Sequence, residues 1–405
     1  MDKLFRIILL INTITLAIIL PSNVFAEAKL TANNHVLKET NIEIIDTTKK
    51  HARFSFNSGL TFEYPDAVRG IYVTGHSAGG KRFEKLIDFI NRTDLNSMVI
   101  DVKDDLGNIT FPMDDESPYA DIGTNYINNP EEMMKRLEEE EIYPIARIVV
   151  FKDTVLAEER PDLSFKENGQ VWKNGRGEAF VNPFLKEIWE YNIEVAKMAA
   201  ELGFKEIQFD YVRFAEGFEL IDERVEYSQG DYAEYELENV QKRVEAVTDF
   251  VAYAREELAY YDVDVSVDIF GYAATIPETP GIGQNFSKIA ENVDIISSMI
   301  YPSHWSEGYF DIPFPDKEPY KLVSEYMKVE NEVLDALDEK PNSRPWLQDF
   351  SAPWLYTAPG SGPVTKYGKE EVEAQIRALY ENGVREFLLW NSGNQYTENV
   401  NYLLQ

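Results

Sequence analysis

An α/β fold closed into an eight-stranded parallel barrel follows from three features of this sequence. Eight short runs rich in β-branched and aromatic residues follow one another from Gly70 onward. Amphipathic stretches of helical period separate most of them. Polar residues gather at the C-terminal ends of the runs, the end at which such a barrel carries its function. No G-x-G-x-x-G turn follows the first run, where a doubly wound open sheet would place one.

The predicted strands, in order, are Gly70–Thr74, Met98–Lys103, Pro144–Phe151, Glu206–Val212, Val263–Phe270, Ile295–Tyr301, Pro345–Phe350 and Glu386–Asn391. Helices are predicted over Lys81–Asn91, Pro130–Glu141, Pro183–Leu202, Glu236–Tyr260, Tyr320–Leu337 and Lys369–Asn382. Pro130 and Pro183 suit first helical turns, with Asn182 as the expected cap of the third helix. Gly203 and Gly383 stop two of the helices. This is the element count of a (β/α)8 TIM barrel, with insertions accounting for the extra length.

The first residues read as a secretory signal peptide over 1–26. Lys3 and Arg6 precede an apolar run from Ile7 to Leu20, and Val24-Phe25-Ala26 offers a small-residue cleavage site. The apolar run is shorter than the roughly 20 residues that span a bilayer core. Residues 27–66 form an N-terminal extension without strong periodicity, and 67–405 form the barrel. A secreted or cell-wall-associated monomer, free of the membrane once the leader is cleaved, is therefore expected. The chain has no cysteine, so its core alone must hold it together. Apolar content of 44% and aromatic content of 13% suit a packed globular chain. A formal net charge of −32 repels nucleic acid and anionic membranes, and leaves neutral or cationic substrates open.

Strand alternation then selects candidate residues. Gln208 and Asp210 share one face of the fourth run, while Ile207, Phe209 and Tyr211 share the other. Because the helix-facing side must be apolar, Asp210 should point into the barrel mouth. On the fifth run Ser266 and Asp268 stand opposite Val265, Val267 and Ile269. Neighbouring strands lie about 4.8 Å apart, so two such carboxylates can approach the roughly 5 Å of a retaining glycosidase. Asp210 and Asp268 are the expected catalytic pair, with Arg147 or Arg213 pairing electrostatically with Asp210. Expected substrate-binding residues are Asp101 and Lys103 on the second run, Tyr301, His304 and Trp305 after the sixth, Gln348 and Asp349 on the seventh, and Trp390 on the eighth. Aromatic faces beside amides and carboxylates suit sugars, whose apolar faces stack while their hydroxyls seek hydrogen bonds. The expected partner is a polysaccharide or oligosaccharide.

Two other readings compete: a non-catalytic carbohydrate-binding or cell-surface scaffold protein that uses the same mouth, and a serine esterase. Gly75-His76-Ser77-Ala78-Gly79 matches the nucleophile elbow of a serine esterase and lies between a predicted strand and a predicted helix. Its chain order demands a late histidine, and His304, the one histidine after Ser77, is followed by at least two more strands. Four scattered histidines give no zinc spacing. Asp114-Asp115-Glu116 lacks the regular pattern of a calcium loop, so no metal and no cofactor is expected.

Five motifs together, Arg69-Gly-Ile-Tyr-Val-Thr74, Val99-Ile-Asp-Val-Lys-Asp-Asp105, Ile148-Val-Val-Phe-Lys-Asp153, Gln208-Phe-Asp-Tyr-Val-Arg-Phe214 and Val267-Asp-Ile-Phe-Gly271, resemble those of a bacterial glycoside hydrolase-type family. The resemblance covers roughly residues 66–405. It implies a TIM barrel, glycosidase-like activity and export. The chain is more distantly similar to the α-amylase clan, whose fourth-strand Asp is the nucleophile and whose fifth-strand acid is Glu. Here the second position carries Asp268, and Gln208 stands where that clan has Arg. The chitinase signature D-x-x-D-x-D-x-E is absent.

Overall fold

The computed structural model describes residues 56–113, 122–357 and 364–404. The proposed leader, most of the extension and Asp114-Asp115-Glu116 lie outside the described residues.

Eight parallel strands form a closed barrel: β1 Arg69–Val73, β2 Ser97–Lys103, β3 Tyr143–Val149, β4 Glu206–Asp210, β5 Asp264–Phe270, β6 Ile295–Met299, β7 Trp346–Gln348 and β8 Phe387–Trp390. They pair in sequence order, and β8 returns to β1 with Phe387 beside Arg69. The seam between β6 and β7 closes in two places. Asn342–Ser343 lies beside Ile295 and Ile296, and Trp346 lies beside Met299. Between the strands lie α1 Arg82–Asn91, α2 Pro130–Glu139, α3 Lys186–Leu202, α4 Asn239–Leu258, α5 Phe286–Ala290, α6 Pro319–Asp335 and α7 Lys369–Glu381, with two further short helical segments, Gly75–Ala78 after β1 and Thr154–Glu159 after β3. The short α5 is absent from the sequence reading, since five residues are too few to show a period.

The start of α3 also differs from expectation. Asn182 and Pro183 precede the helix, and Leu185 takes the cap position. Asn182 is occupied otherwise: its amide donates to the Ser228 carbonyl at 2.7 Å, and its Oδ1 accepts from the Phe184 amide. The predicted stop at Gly203 is present, with a left-handed φ of 106° that suits glycine.

The large apolar core lies between the strands and the helices, where Ile207, Phe209, Val265, Val267 and Ile269 point. The barrel interior holds a second, smaller cluster that includes Tyr72, Val99, Ile145, Trp346 and Leu388. Polar layers lie below and above that cluster. At the N-terminal end, Arg344 donates to Glu206 at 2.6 Å, to Glu386 at 2.8 Å and to the Tyr64 hydroxyl at 2.8 Å, while Ser266 donates to Glu206 at 2.6 Å. Tyr64 belongs to the described part of the extension, so that segment helps close the barrel floor. At the C-terminal end lie Asp101, Arg147, Asp210 and Asp268. No helix among the described residues is long and apolar enough to cross a membrane.

Candidate active site

The site is built from the ends of β1 to β8. Inward positions on β4 run Glu206, Gln208, Asp210, and on β5 Asp264, Ser266, Asp268. Register pairs Gln208 with Ser266, so the two aspartates follow on the same layer one step further along. Both are nearly enclosed, Asp210 4% and Asp268 2% exposed, and both line one cavity of about 670 Å³ at the barrel mouth. That volume lies within the range of small-molecule sites.

The two carboxylates have opposite surroundings. Asp210 is clamped by Arg147, whose Nε and Nη2 donate to its Oδ2 at 3.0 and 2.6 Å. Arg147 is 1% exposed, and its Nη1 donates to Asp101 Oδ1 at 2.7 Å. The Tyr72 hydroxyl donates to Asp101 Oδ2 at 2.5 Å. The guanidinium carbon lies 5.4 Å from the Tyr72 ring centre and 5.3 Å from that of Trp390, and those two rings stack at 4.0 Å. A buried arginine needs such compensation on all sides. Gln208, inward on β4, carries no charge, and the guanidinium reaches Asp210 from the neighbouring strand β3. Asp268 accepts one hydrogen bond, from the Trp346 indole N–H to Oδ1 at 2.7 Å. Burial first, then the charge of Asp210, push its pKa well above the usual carboxylate range, against the opposing effects of Arg147 and Trp346.

Backbone geometry is unusual just after Asp210. Tyr211 has a left-handed φ of 53°, and its amide donates back to Asp210 Oδ1 at 2.6 Å. A non-glycine residue held there stores strain of about 1–3 kcal/mol. The turn carries Arg213 over the rings of Tyr211 and Phe270, at 4.6 and 4.7 Å.

The other expected residues divide into two groups. Arg147, Arg213, Tyr301, His304, Trp305 and Trp390 line the cavity. Arg213 does not pair with Asp210: it faces Glu216 at 3.3 Å. Burial lowers the pKa of His304. Asp101 stands one layer behind, holding Arg147; burial lifts its pKa to about 7 against the pull of Arg147.

Three expected positions lie elsewhere. Lys103 faces the helices, ion-paired with Asp153 at 2.7 Å and donating to Asn192 of α3 at 3.0 Å. The cause is a bulge: Asp101 pairs with Arg147 but Lys103 pairs with Ile148, so β2 advances two residues while β3 advances one. The alternation that put Asp101 and Lys103 on one face is broken there. Gln348 is buried under the loop after β6, accepting from the Ser303 amide at 2.9 Å and donating to the Phe350 carbonyl at 2.9 Å. Asp349 caps the final segment, accepting from the Thr397 amide and hydroxyl.

Sequence reasoning passed over Tyr72 as a site residue, because an aromatic residue inside a strand reads as core. It also passed over Asp105, a cavity-lining carboxylate 3.5 Å from Arg147 and 2.8 Å from Lys152. Burial alone would raise the Asp105 pKa; the two cations overcome it and hold the group at about 2. The Asp-Asp pair closing the second run was the available signal.

The Gly75–Gly79 motif has a packing explanation. A Cβ on Gly75 would sit 2.6 Å from Thr110, and one on Gly79 would sit 1.8 Å from the Tyr126 carbonyl oxygen. The Ser77 hydroxyl accepts from Thr74 at 3.1 Å, and Ser77 is not among the residues lining the cavity that His304 faces. The esterase arrangement is therefore not formed. Among the described residues, no group of three or more His, Cys, Asp or Glu side chains could hold a metal ion.

Comparison with solved structures places this geometry among barrels. The glycoside hydrolase domain of PgaB (BpsB) from Bordetella bronchiseptica superposes with a TM-score of 0.55 at 14% identity, over 81% of this chain and 94% of that one. A beta-galactosidase from the psychrophilic Marinomonas ef1 gives 0.54 at 13% identity, over 80% of this chain and 54% of that one, so the chain spans about half of that enzyme. These likenesses show a shared fold. A hypothetical protein from Ruminiclostridium thermocellum ATCC 27405 is 33% identical over 49% of this chain and 96% of that one, with a TM-score of 0.42. No curated protein matches the chain. Over residues 70–396, which include all but the first residue of the barrel sheet, the sequence matches the family described as "Putative glycosyl hydrolase domain", and the chain belongs to that family.

Proposed function

We propose that this protein hydrolyses O-glycosidic bonds of an extracellular or cell-wall polysaccharide by a retaining mechanism. The observation that carries the reading is the contrast between two carboxylates in one cavity. Asp210 is charge-paired with Arg147, while Asp268 has only an indole N–H and a pKa pushed upward. A carboxylate clamped by a guanidinium beside a carboxyl whose pKa is raised suits a division into nucleophile and acid.

The Asp210 carboxylate attacks the anomeric carbon as the Asp268 carboxyl gives its proton to the departing glycosidic oxygen. The C–O bond breaks and a glycosyl ester forms on Asp210. Asp268, now a carboxylate, takes a proton from water, which attacks the anomeric carbon and releases Asp210. One water is consumed per bond. Tyr301, Trp305 and Trp390 supply rings for the sugar face, and Arg213 donors for its hydroxyls. Secretion is supported by the Lys3–Ala26 leader pattern.

The test is reducing-end release from a polysaccharide panel by wild type, Asp210→Asn and Asp268→Asn. The Asp268→Asn variant is expected to lose about 10²–10⁴-fold in kcat, the usual contribution of a general acid, and Asp210→Asn at least as much. Wild-type turnover in either variant removes that residue from the mechanism.

A further inference from the structure

Aromatic side chains continue past the edge of the cavity. Tyr301 and His304, after β6, have ring centres 5.3 Å apart. Phe350, after β7, lies 6.0 Å from Tyr301 and 6.2 Å from His304. Trp354, on the single turn Pro353–Tyr356, lies 6.1 Å from Phe350 at an interplanar angle of 24°, and 6.4 Å from His304. Tyr301 and His304 line the cavity; Phe350 and Trp354 lie beyond it. Trp354 is 53% exposed, and Leu355 next to it is 41% exposed. The indole is left largely in water, and it adjoins the rings of a candidate sugar site.

We propose that the near-parallel rings of Phe350 and Trp354, with His304 standing roughly perpendicular to both, form a platform that binds successive sugar rings of a polymer whose scissile bond lies at Asp210 and Asp268. The proposal rests on the glycosidase reading and names its substrate class: a polysaccharide without acidic sugars, long enough to reach from the cavity to Trp354. Continuity of the rings with the cavity fixes the ligand as the same chain that enters the cavity. Flat apolar faces suit the C–H faces of sugar rings. The net charge of −32 disfavours an anionic polymer.

The test uses the full chain carrying Asp268→Asn, which removes turnover, in affinity electrophoresis through mannan, xylan, galactan, pullulan, glycol chitosan and polygalacturonate. Trp354→Ala is expected to weaken retention by about twofold to tenfold on at least one of the non-acidic polymers, and Trp354→Phe to restore most of it. In the active enzyme, kcat/KM should rise with oligosaccharide length, and Trp354→Ala should flatten that rise. Equal retention with and without Trp354 on every polymer overturns the platform, as does a Trp354-dependent preference for polygalacturonate. Trp354-dependent retention without bond cleavage by the wild type leaves the platform standing and overturns the hydrolase reading instead.

Discussion

The two oxygens of Asp268 have different neighbours, and that difference bears on its chemistry. Oδ1 accepts the Trp346 indole N–H, so a proton to be donated belongs on Oδ2. The indole favours the charged carboxylate and so restrains a pKa that burial and Asp210 raise. Trp346→Phe removes that restraint. A general acid works only while protonated, so activity falls as pH rises through its pKa. The alkaline limb of the kcat/KM profile should therefore move to higher pH in Trp346→Phe. An unmoved limb, or one shifted to lower pH, would sink the assignment of Asp268 as the acid. Both aspartates were legible in the sequence, because alternation on apolar strands tells which way a carboxylate points. The bond from Trp346 to Asp268 was not, since an inward tryptophan looks the same whether it fills the core or holds a carboxylate.

At the scale of elements, β2 decides how far alternation can be trusted. Its bulge turns Lys103 from the mouth to the helix layer, where Asp153 and Asn192 receive it. Burial lowers the Lys103 pKa and raises that of Asp153, and each charge is tolerated because the other is present. Lys103→Ala leaves the Asp153 carboxylate enclosed without its cation. Chemical denaturation should show a loss of about 3–5 kcal/mol, with the pH limbs of activity unchanged where the variant is folded. A stability change under about 1 kcal/mol would mean the pair contributes little. A bulge is set by pairing between strands and leaves no mark on local composition, which is why the sequence gives no warning of it. Gln348, the last residue of β7, and Asp349 just after it illustrate the same limit, since polar residues at a strand end serve either a substrate or a neighbouring loop.

Over the whole molecule, the barrel interior is a stack of polar, apolar and polar layers. The mouth holds Arg147 between Asp101 and Asp210, and the floor holds Arg344 among Glu206, Glu386 and Tyr64. Asp264 stands at that floor. Burial, then the charges of Glu206 and Asp294, raise its pKa to about 7, with Arg344 opposing and Asp262 adding to the rise. A carboxyl whose pKa is higher folded than unfolded binds more protons in the native state. Its cost to stability is absent below about pH 4, grows as pH rises, and is complete above about pH 7. Asp264→Asn should therefore stabilise the protein at pH 8 by on the order of 1–3 kcal/mol after allowance for solvent screening, with the gain vanishing near pH 4. A gain independent of pH would point to packing in place of charge.

Periodicity alone determined the eight strands, six of the helices, the parallel barrel and the inward direction of Asp210 and Asp268, because burial on both faces of a strand leaves few places for a carboxylate. Tertiary structure decided what meets across strands. It placed Arg147 on Asp210, Trp346 on Asp268, Lys103 away from the mouth, and Trp354 in line with the cavity. Local sequence encodes which way a side chain points from its own strand. Which partner it finds depends on register, bulges and loop paths, and those are fixed only when the sheet closes.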